Sequence, residues 1–391
     1  MHIFKDSPQI GAVAPLLPTY APYPFLLVSG CGEQVFDADG VAYLDFYGGH
    51  CVAGTGHSHP KVAGAIAAQA RQLMFYSAAA RLPVRDAAAQ ALVAFGPPGL
   101  GSVFFCNSGA EANESALKVA VQLTGRHRFA AFAGSFHGRT LLALSVTDAP
   151  ELKQSLGPLV AAVDFLPFGD AAALEAADLS QVAAVIVEPI QSMAGVRTAD
   201  SAWFAALAEK CRSAGALLVF DEVQTGMGRT GQPFAAQLYG VTPDMLTLAK
   251  SIASGVPMGA LLMSPAVASA LKPGDLGSTF GGGPLASVAL LVTLEVMREE
   301  GLMANAAAQE QRIRAALAGS FITEVRGAGL LLGLKVGKLA KPLKKYLQER
   351  HILVGGSNDP EVLRLMPPLN VSREAVDTVL AAVKNYGADH L

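Results

Sequence analysis

Charge is scarce in this sequence: 16% of residues are Asp, Glu, Lys or Arg, whereas 51% are hydrophobic. So few charges leave much surface to be buried, which implies a large core together with self-association. Neither sign is in excess, with 29 basic and 32 acidic residues and a formal net charge of −3. That balance removes any general attraction to nucleic acid or to an acidic membrane. Cysteine is also sparse. Cys31, Cys51, Cys106 and Cys211 are scattered without a C-x-x-C pair, and read as buried, reduced thiols of a cytosolic protein. No apolar run approaches membrane-spanning length. The N-terminal stretch is interrupted by Pro15, Pro18, Pro22 and Pro24 and lacks the basic and apolar regions of an export signal. The composition describes a soluble, cytoplasmic protein, and 391 residues suffice for two or three domains.

What is present is a strand–helix alternation. Residues 1–30 are proline-rich and irregular, and "QVFDADGVAYLDF" reads as a hairpin turning at Asp37–Gly40. Beyond residue 60, β-prone runs recur at "SVFFC", "FAAFAG", "AAVIVEP", "ALLVFDE", "MLTLA" and "GALLMS". Helical segments fall between several of them, notably Ala110–Leu123 and Ser201–Ser213. Runs that are apolar throughout suit strands buried on both faces, so the pattern predicts a mainly parallel sheet between helices. "GSTFGGGP" closes this region near residue 283, and a helix over Leu285–Glu300 leads into a smaller α+β unit. The expected division is an arm and hairpin over 1–48 packing with the small domain, a large domain over 49–283, and a small domain over 284–391.

"LLVFDEVQTGMGRTG" (217–231) contains Gly226, Gly228 and Gly231 in the spacing G-x-G-x-x-G. With 40 glycines in the chain, roughly 0.4 such matches arise by chance, so the match alone is weak. A dinucleotide loop would also open a helix directly, and "QPFAAQLYG" starts one poorly. In open α/β sheets ligands bind beyond the carboxyl ends of the strands. The residues there are Asn107–Ala110, Ser135–His137, Glu188–Pro189, Asp221–Gln224 and Lys250–Ser251.

"CNSGAEANESALK" offers free N–H groups and a positive helix end to a phosphate, although an ordinary capped helix start would look the same. Asp221 ends an apolar run and, if buried, needs a cation or strong donors; a structural salt bridge or an N-cap would equally supply one. Lys250 ends another apolar run. A dry site would lower its pKa and free a nucleophilic amine, whereas a snorkelling surface lysine is the ordinary alternative. Phosphate donors, a deep carboxylate, an amine and the aromatic Phe136 together match pyridoxal 5′-phosphate (PLP).

Seven segments then carry a resemblance: "FFCNSGAEANESALKVA", "GSFHGRTLLALSVT", "VIVEPIQ", "LLVFDEVQTGMGRTG", "PDMLTLAKSIASGVPMGA", "GSTFGGGPLAS" and "VLRLMPPL". The chain resembles a class III (subgroup II) aminotransferase of PLP fold type I and is similar to N-acetylornithine aminotransferases in particular. The resemblance implies a large domain with a mainly parallel seven-stranded sheet, a smaller α+β domain, and a homodimer with shared active sites. It implies Lys250 as the Schiff-base lysine that moves the proton. Asp221 would be the partner of the pyridine nitrogen, keeping the ring able to accept electrons as a quinonoid. At about 3 Å and an effective dielectric near 20, that ion pair is worth roughly 5 kcal/mol before desolvation. Gln224 would address the ring hydroxyl, Val223 and Phe136 the two ring faces, and Ser108, Gly109 and Ala110 the phosphate. Ser278 and Thr279 would reach the phosphate from the neighbouring subunit, with Glu188 an acid near Gln224. The G-M-G-R-T-G stretch would be a structural loop.

For substrate, the resemblance implies Arg139 for the carboxylate distal to the reacting carbon and Arg364 for the α-carboxylate of glutamate. Both are suited to bidentate recognition. The implied reaction passes the terminal amine of an acetylated or succinylated ornithine to 2-oxoglutarate. Ornithine, an acyl-lysine or another ω-amino acid is the alternative donor; an isomerase or a non-catalytic PLP-binding relative is more distant. Two residues depart from the pattern. Met193 stands where many relatives carry an acid that pairs with the second arginine, which should leave Arg364 receptive. His50 stands where ornithine aminotransferases have Tyr, and is either a ligand for an acyl group or carboxylate or a satisfied structural histidine. His57 and His59 read as structural, and no metal is expected.

Overall fold

The computed structural model describes Leu17 and residues 19–390; Pro15 and Pro18 of the expected arm lie outside the described residues. Its centre is a seven-stranded sheet of β1 (Ser102–Cys106), β2 (Arg128–Phe132), β3 (Val163–Leu166), β4 (Val182–Val187), β5 (Leu217–Asp221), β6 (Met245–Leu248) and β7 (Gly259–Met263). The spatial order is β1-β7-β6-β5-β4-β2-β3. β7 runs antiparallel to both of its neighbours, and the remaining pairs run parallel. Every residue of β4, β6 and β7 is buried, as strands covered by helices on both faces must be.

Six of these strands coincide with the apolar runs of the sequence. The seventh, β3, carries Asp164 and is only half-buried along its length, because it lies at the sheet edge and has no need of a continuous apolar run. The expected helices form as Gly109–Thr124, Ser201–Ala214 and Pro284–Glu299. The first is capped by Ser108, whose Oγ accepts from the Glu111 N–H at 3.2 Å, and ends at Gly125 in the left-handed conformation.

The hairpin Gln34–Asp37/Ala42–Phe46 forms at the expected turn. Its second strand pairs in parallel with Ile352–Val354 near the C-terminal end of the chain. Glu324–Ala328, Leu331–Lys335 and Val362–Leu365 make a separate antiparallel sheet. One thiol departs from expectation: Cys51, Cys106 and Cys211 are buried, but Cys31 is exposed, because it ends an outer strand whose residues are largely exposed.

Candidate active site

A cavity of about 900 Å³ opens at the carboxyl ends of the parallel strands. Among its lining residues are Ser108, Gly109, Ala110, Phe136, Glu188, Asp221, Val223, Gln224 and Lys250, together with Arg139, Arg364, His50 and Met193. The segments of Ser108, Phe136, Glu188, Asp221 and Lys250 converge here because they follow strands of the same sheet, whereas His50 follows the hairpin and Arg364 comes from the separate antiparallel sheet.

At the floor, Asp221 ends β5 and is 4% exposed. Three donors hold it. Asn113 Nδ2 and His137 Nδ1 each lie 2.7 Å from Oδ2, and the Val223 N–H is 3.0 Å from Oδ1. A carboxylate can only accept, so His137 carries its proton on Nδ1; the buried Nε2 has no partner among the described residues. Thr247, opposite Asp221 in the neighbouring strand, donates to Asn113 Oδ1 at 2.6 Å, which turns the Asn113 amide toward Asp221. Hydrogen-bond donors therefore meet the need of the buried acid. Sequence reasoning passed over Asn113 and Thr247, and His137 it noted only by position; polar residues inside an apolar helix face and an apolar strand were the available signal. The adjacent Glu222 turns away from the cavity and accepts from the N–H groups of Ala235 and Ala236, both at 2.7 Å, and from Thr225.

Lys250, two residues beyond the end of β6, begins a short 3-10 turn with φ +50°, a conformation uncommon for a non-glycine residue. Burial pulls its pKa below the usual lysine value, against the opposing pull of Asp221, so the neutral amine is more accessible than in water. The first N–H groups of the Gly109–Thr124 helix have no intrahelical partner, and Gly109 and Ala110 both border the cavity. A Cβ on Gly109 would fall 2.8 Å from Val223 Cγ2, so only glycine lets these elements close up.

Glu188 accepts from the Phe136 N–H at 2.9 Å, not from Gln224; Gln224 Nε2 instead lies 3.7 Å from Met366 Sδ. Burial pushes the Glu188 carboxyl up to about 7. Ser278 and Thr279 lie outside the cavity. They border a neighbouring surface hollow, where Asn107 Nδ2 donates to Ser278 Oγ at 3.2 Å.

Arg364 is 3% exposed and has no carboxylate partner among the described residues. Nε donates to the Gly356 carbonyl at 2.5 Å, and Nη1 to Ser192 Oγ at 2.8 Å. Arg139 is exposed, with its guanidinium 6.0 Å from the Tyr20 ring centroid. His50 lies between Tyr20 and Tyr47, with centroids at 5.3 and 4.8 Å. Its ring contacts the Tyr47 hydroxyl, with Nδ1 at 2.6 Å. His57 and His59 each meet one carboxylate, Asp45 and Glu300.

The glycine loop has a packing role. Arg229 is fully buried and donates to the carbonyls of Leu330 and Pro367. Gly228, at φ +79°, leaves no room for a Cβ against Met297. This geometry belongs to a structural loop rather than to a nucleotide cradle.

The family model for class-III aminotransferases matches residues 18–386. The acetylornithine aminotransferase of Methanopyrus kandleri is 41% identical over 368 residues, covering 93% of this chain and 94% of that protein. Among solved structures, the ornithine aminotransferase of Toxoplasma gondii superposes with a TM-score of 0.90 at 32% identity, covering 96% of this chain and 93% of that one. The N-acetylornithine aminotransferase of Stenotrophomonas maltophilia superposes with a TM-score of 0.81 at 33% identity, covering 94% and 96%. Free helix-terminal N–H groups, a donor-held carboxylate and an amine around one cavity fit PLP, and the chain belongs to the class-III aminotransferases, enzymes that work with this cofactor.

Proposed function

We propose that this enzyme transfers the terminal amino group of an N-acylornithine, acetylated or succinylated, to 2-oxoglutarate. The products would be the semialdehyde and glutamate, a step of arginine biosynthesis in the cytoplasm. Bound PLP supplies a reactive aldehyde and an electron-accepting ring. In this reading the N–H groups at Ser108, Gly109 and Ala110 hold its phosphate, Asp221 holds the proton on its pyridine nitrogen, and Gln224 faces its hydroxyl. Val223 and Phe136 confine the ring. Lys250 Nζ would take the proton from the substrate carbon that bears the transferred nitrogen and return it on the far side of that nitrogen. The lowered lysine pKa favours the neutral amine that this requires. Glu188 fixes the Phe136 backbone and thereby the wall of the ring site.

The observation that carries the substrate reading is the pair of unmatched arginines at different depths. Arg364 is buried without a carboxylate, and Arg139 stands exposed beside Tyr20. A dicarboxylate can engage both. A donor with one distal carboxylate uses Arg139 alone, with its acyl group against Tyr20, Tyr47 and His50. Met193 supports this assignment, since it lines the cavity without offering Arg364 an internal acid.

The reading includes a homodimer in which Ser278 and Thr279 of the partner subunit complete the phosphate site. The exposed aromatic pair Phe75 and Phe280, 5.0 Å apart next to Thr279, is suited to such an interface. It also includes the three-part domain division at residues 48 and 283.

The test is a half-reaction screen of acetylornithine, succinylornithine, ornithine, acetyl-lysine and 4-aminobutyrate, compared by kcat/KM. An acylornithine should lead ornithine and 4-aminobutyrate by at least about tenfold. Preference for either unacylated donor would overturn the substrate assignment.

A further inference from the structure

Lys344 is a cation that the chemistry above leaves unused. It belongs to the helix Ala340–Gln348, where Ala340, Leu343 and Leu347 are buried. Positions four before and three after share its face, so Lys344 is directed inward while Lys341 and Lys345 remain exposed. Lys345 pairs with Glu349 at 3.7 Å. Lys344 makes no hydrogen bond or ion pair with any described residue, although it lines the cavity.

Its ammonium lies beside Gly356. A Cβ on Gly356 would lie 3.8 Å from Lys344 Nζ, and the carbonyl of the same residue accepts from Arg364 Nε at 2.5 Å. Two cations thus flank one glycine. Each is disfavoured there. Burial lowers the pKa of both, and Arg364 lowers that of Lys344 further. The described residues of the cavity have no carboxylate to spare for them. Among the described residues that line it only Asp221 and Glu188 are acidic; the first is held by three donors, and the second accepts from Phe136. An anion brought by a ligand would compensate both cations.

We propose that Lys344 is a second carboxylate-binding cation, acting beside Arg364 on the α-carboxylate of the amino acceptor and of its product glutamate. The inference rests on the reading of Arg364 given above. It selects the acceptor because the reacting carbon of an acylornithine carries two hydrogens and the chain, whereas in glutamate and 2-oxoglutarate the reacting carbon carries a carboxylate beside the chain. A cation pair at that point therefore discriminates between the two half-reactions.

Glutarate, an unreactive dicarboxylate, is the probe. Its Kd for the PLP-loaded enzyme is read from the visible spectrum for wild type, Lys344→Met, which keeps the aliphatic stem, and Lys344→Arg. Lys344→Met should raise the Kd about tenfold, and Lys344→Arg should restore most of the affinity. The ratio of glutamate to acylornithine kcat/KM should fall about tenfold in Lys344→Met. An unchanged Kd, or an equal loss in both half-reactions, would overturn the proposal, as would a loss confined to succinylornithine, which would assign Lys344 to the donor. If wild type neither binds glutarate nor deaminates glutamate, the acceptor reading itself fails and this inference with it.

Discussion

Met193→Glu tests the charge logic of the acceptor site. The side chain lines the cavity, and its neighbour Ser192 accepts from Arg364 Nη1 at 2.8 Å, so a glutamate of similar length would place its carboxylate within reach of the guanidinium. At about 4 Å and an effective dielectric near 20, the attraction is about 4 kcal/mol. Desolvating the new carboxylate removes much of that, leaving on the order of 1–2 kcal/mol. A substrate α-carboxylate would have to displace this internal partner, so glutamate kcat/KM should fall about 5- to 30-fold. The donor half-reaction makes no demand on Arg364 and should change by less than about threefold. Met193→Gln has nearly the same shape without the charge, and should stay within about threefold of wild type in both. Single-turnover absorbance changes of the loaded enzyme follow each half-reaction separately. A glutamate half-reaction that is unchanged or faster in Met193→Glu would refute the assignment of Arg364 to the α-carboxylate.

Two further substitutions probe the scaffold. Gly109→Ala places a methyl 2.8 Å from Val223 Cγ2 and 2.9 Å from Cγ1. Because a valine side chain has little rotamer freedom, about 1–3 kcal/mol of stability should be lost and PLP should bind at least about tenfold more weakly. Denaturant midpoints and a PLP titration measure the two effects, and wild-type values in both would refute the close-packing account. Glu222 tests pH linkage, since burial pushes its carboxyl from 4.5 up to about 7. Between those values the folded chain keeps a proton that the unfolded chain has released, so this group's contribution to stability falls as pH rises. Glu222→Gln cannot release it, and the stability gap should move in the variant's favour by up to about 3 kcal/mol between pH 4.5 and 7. A gap that stays constant in urea titrations at pH 4.5 and 7 would contradict the assignment.

The central strands were legible because burial on both faces leaves no room for polar alternation, and "VAAVIV" and "MLTL" can be little else. β3 escaped notice for the converse reason: an edge strand tolerates Asp164, which its neighbour Arg128 neutralises. The site was legible as far as it follows strand ends, because one topological rule collects Ser108, Phe136, Glu188, Asp221 and Lys250. What lies beyond strand ends depends on three-dimensional convergence. Asn113 is one polar residue on a buried helix face, and nothing local says that it meets Asp221, 108 positions away. Lys344 sits among other lysines in "KPLKK", and only the helix's orientation separates the inward one from the solvated ones. The Glu188–Gln224 proximity drawn from the family pattern does not appear as a hydrogen bond; Glu188 accepts from the Phe136 N–H.

These placements make charge the organising variable of the cavity. Among the described residues, Arg364, Lys344 and Arg139 face it beside Lys250, whose amine burial draws toward the neutral form, whereas Asp221 and Glu188 are its acids, and the Glu188 carboxyl is pushed up to about 7. A chain with a net charge of −3 therefore maintains a local positive excess against its overall sign. Removing charges from water is costly, and the cations are spread over several chain segments, so the excess is a feature of the assembled fold rather than of one basic patch. Ligands that bring several anionic groups relieve it: a phosphate at the helix N-terminus, and carboxylates at Arg364 and Arg139. A neutral or singly charged ω-amine leaves part of the repulsion in place, so this cavity disfavours simple amines through its unmet cations before any steric contact is considered.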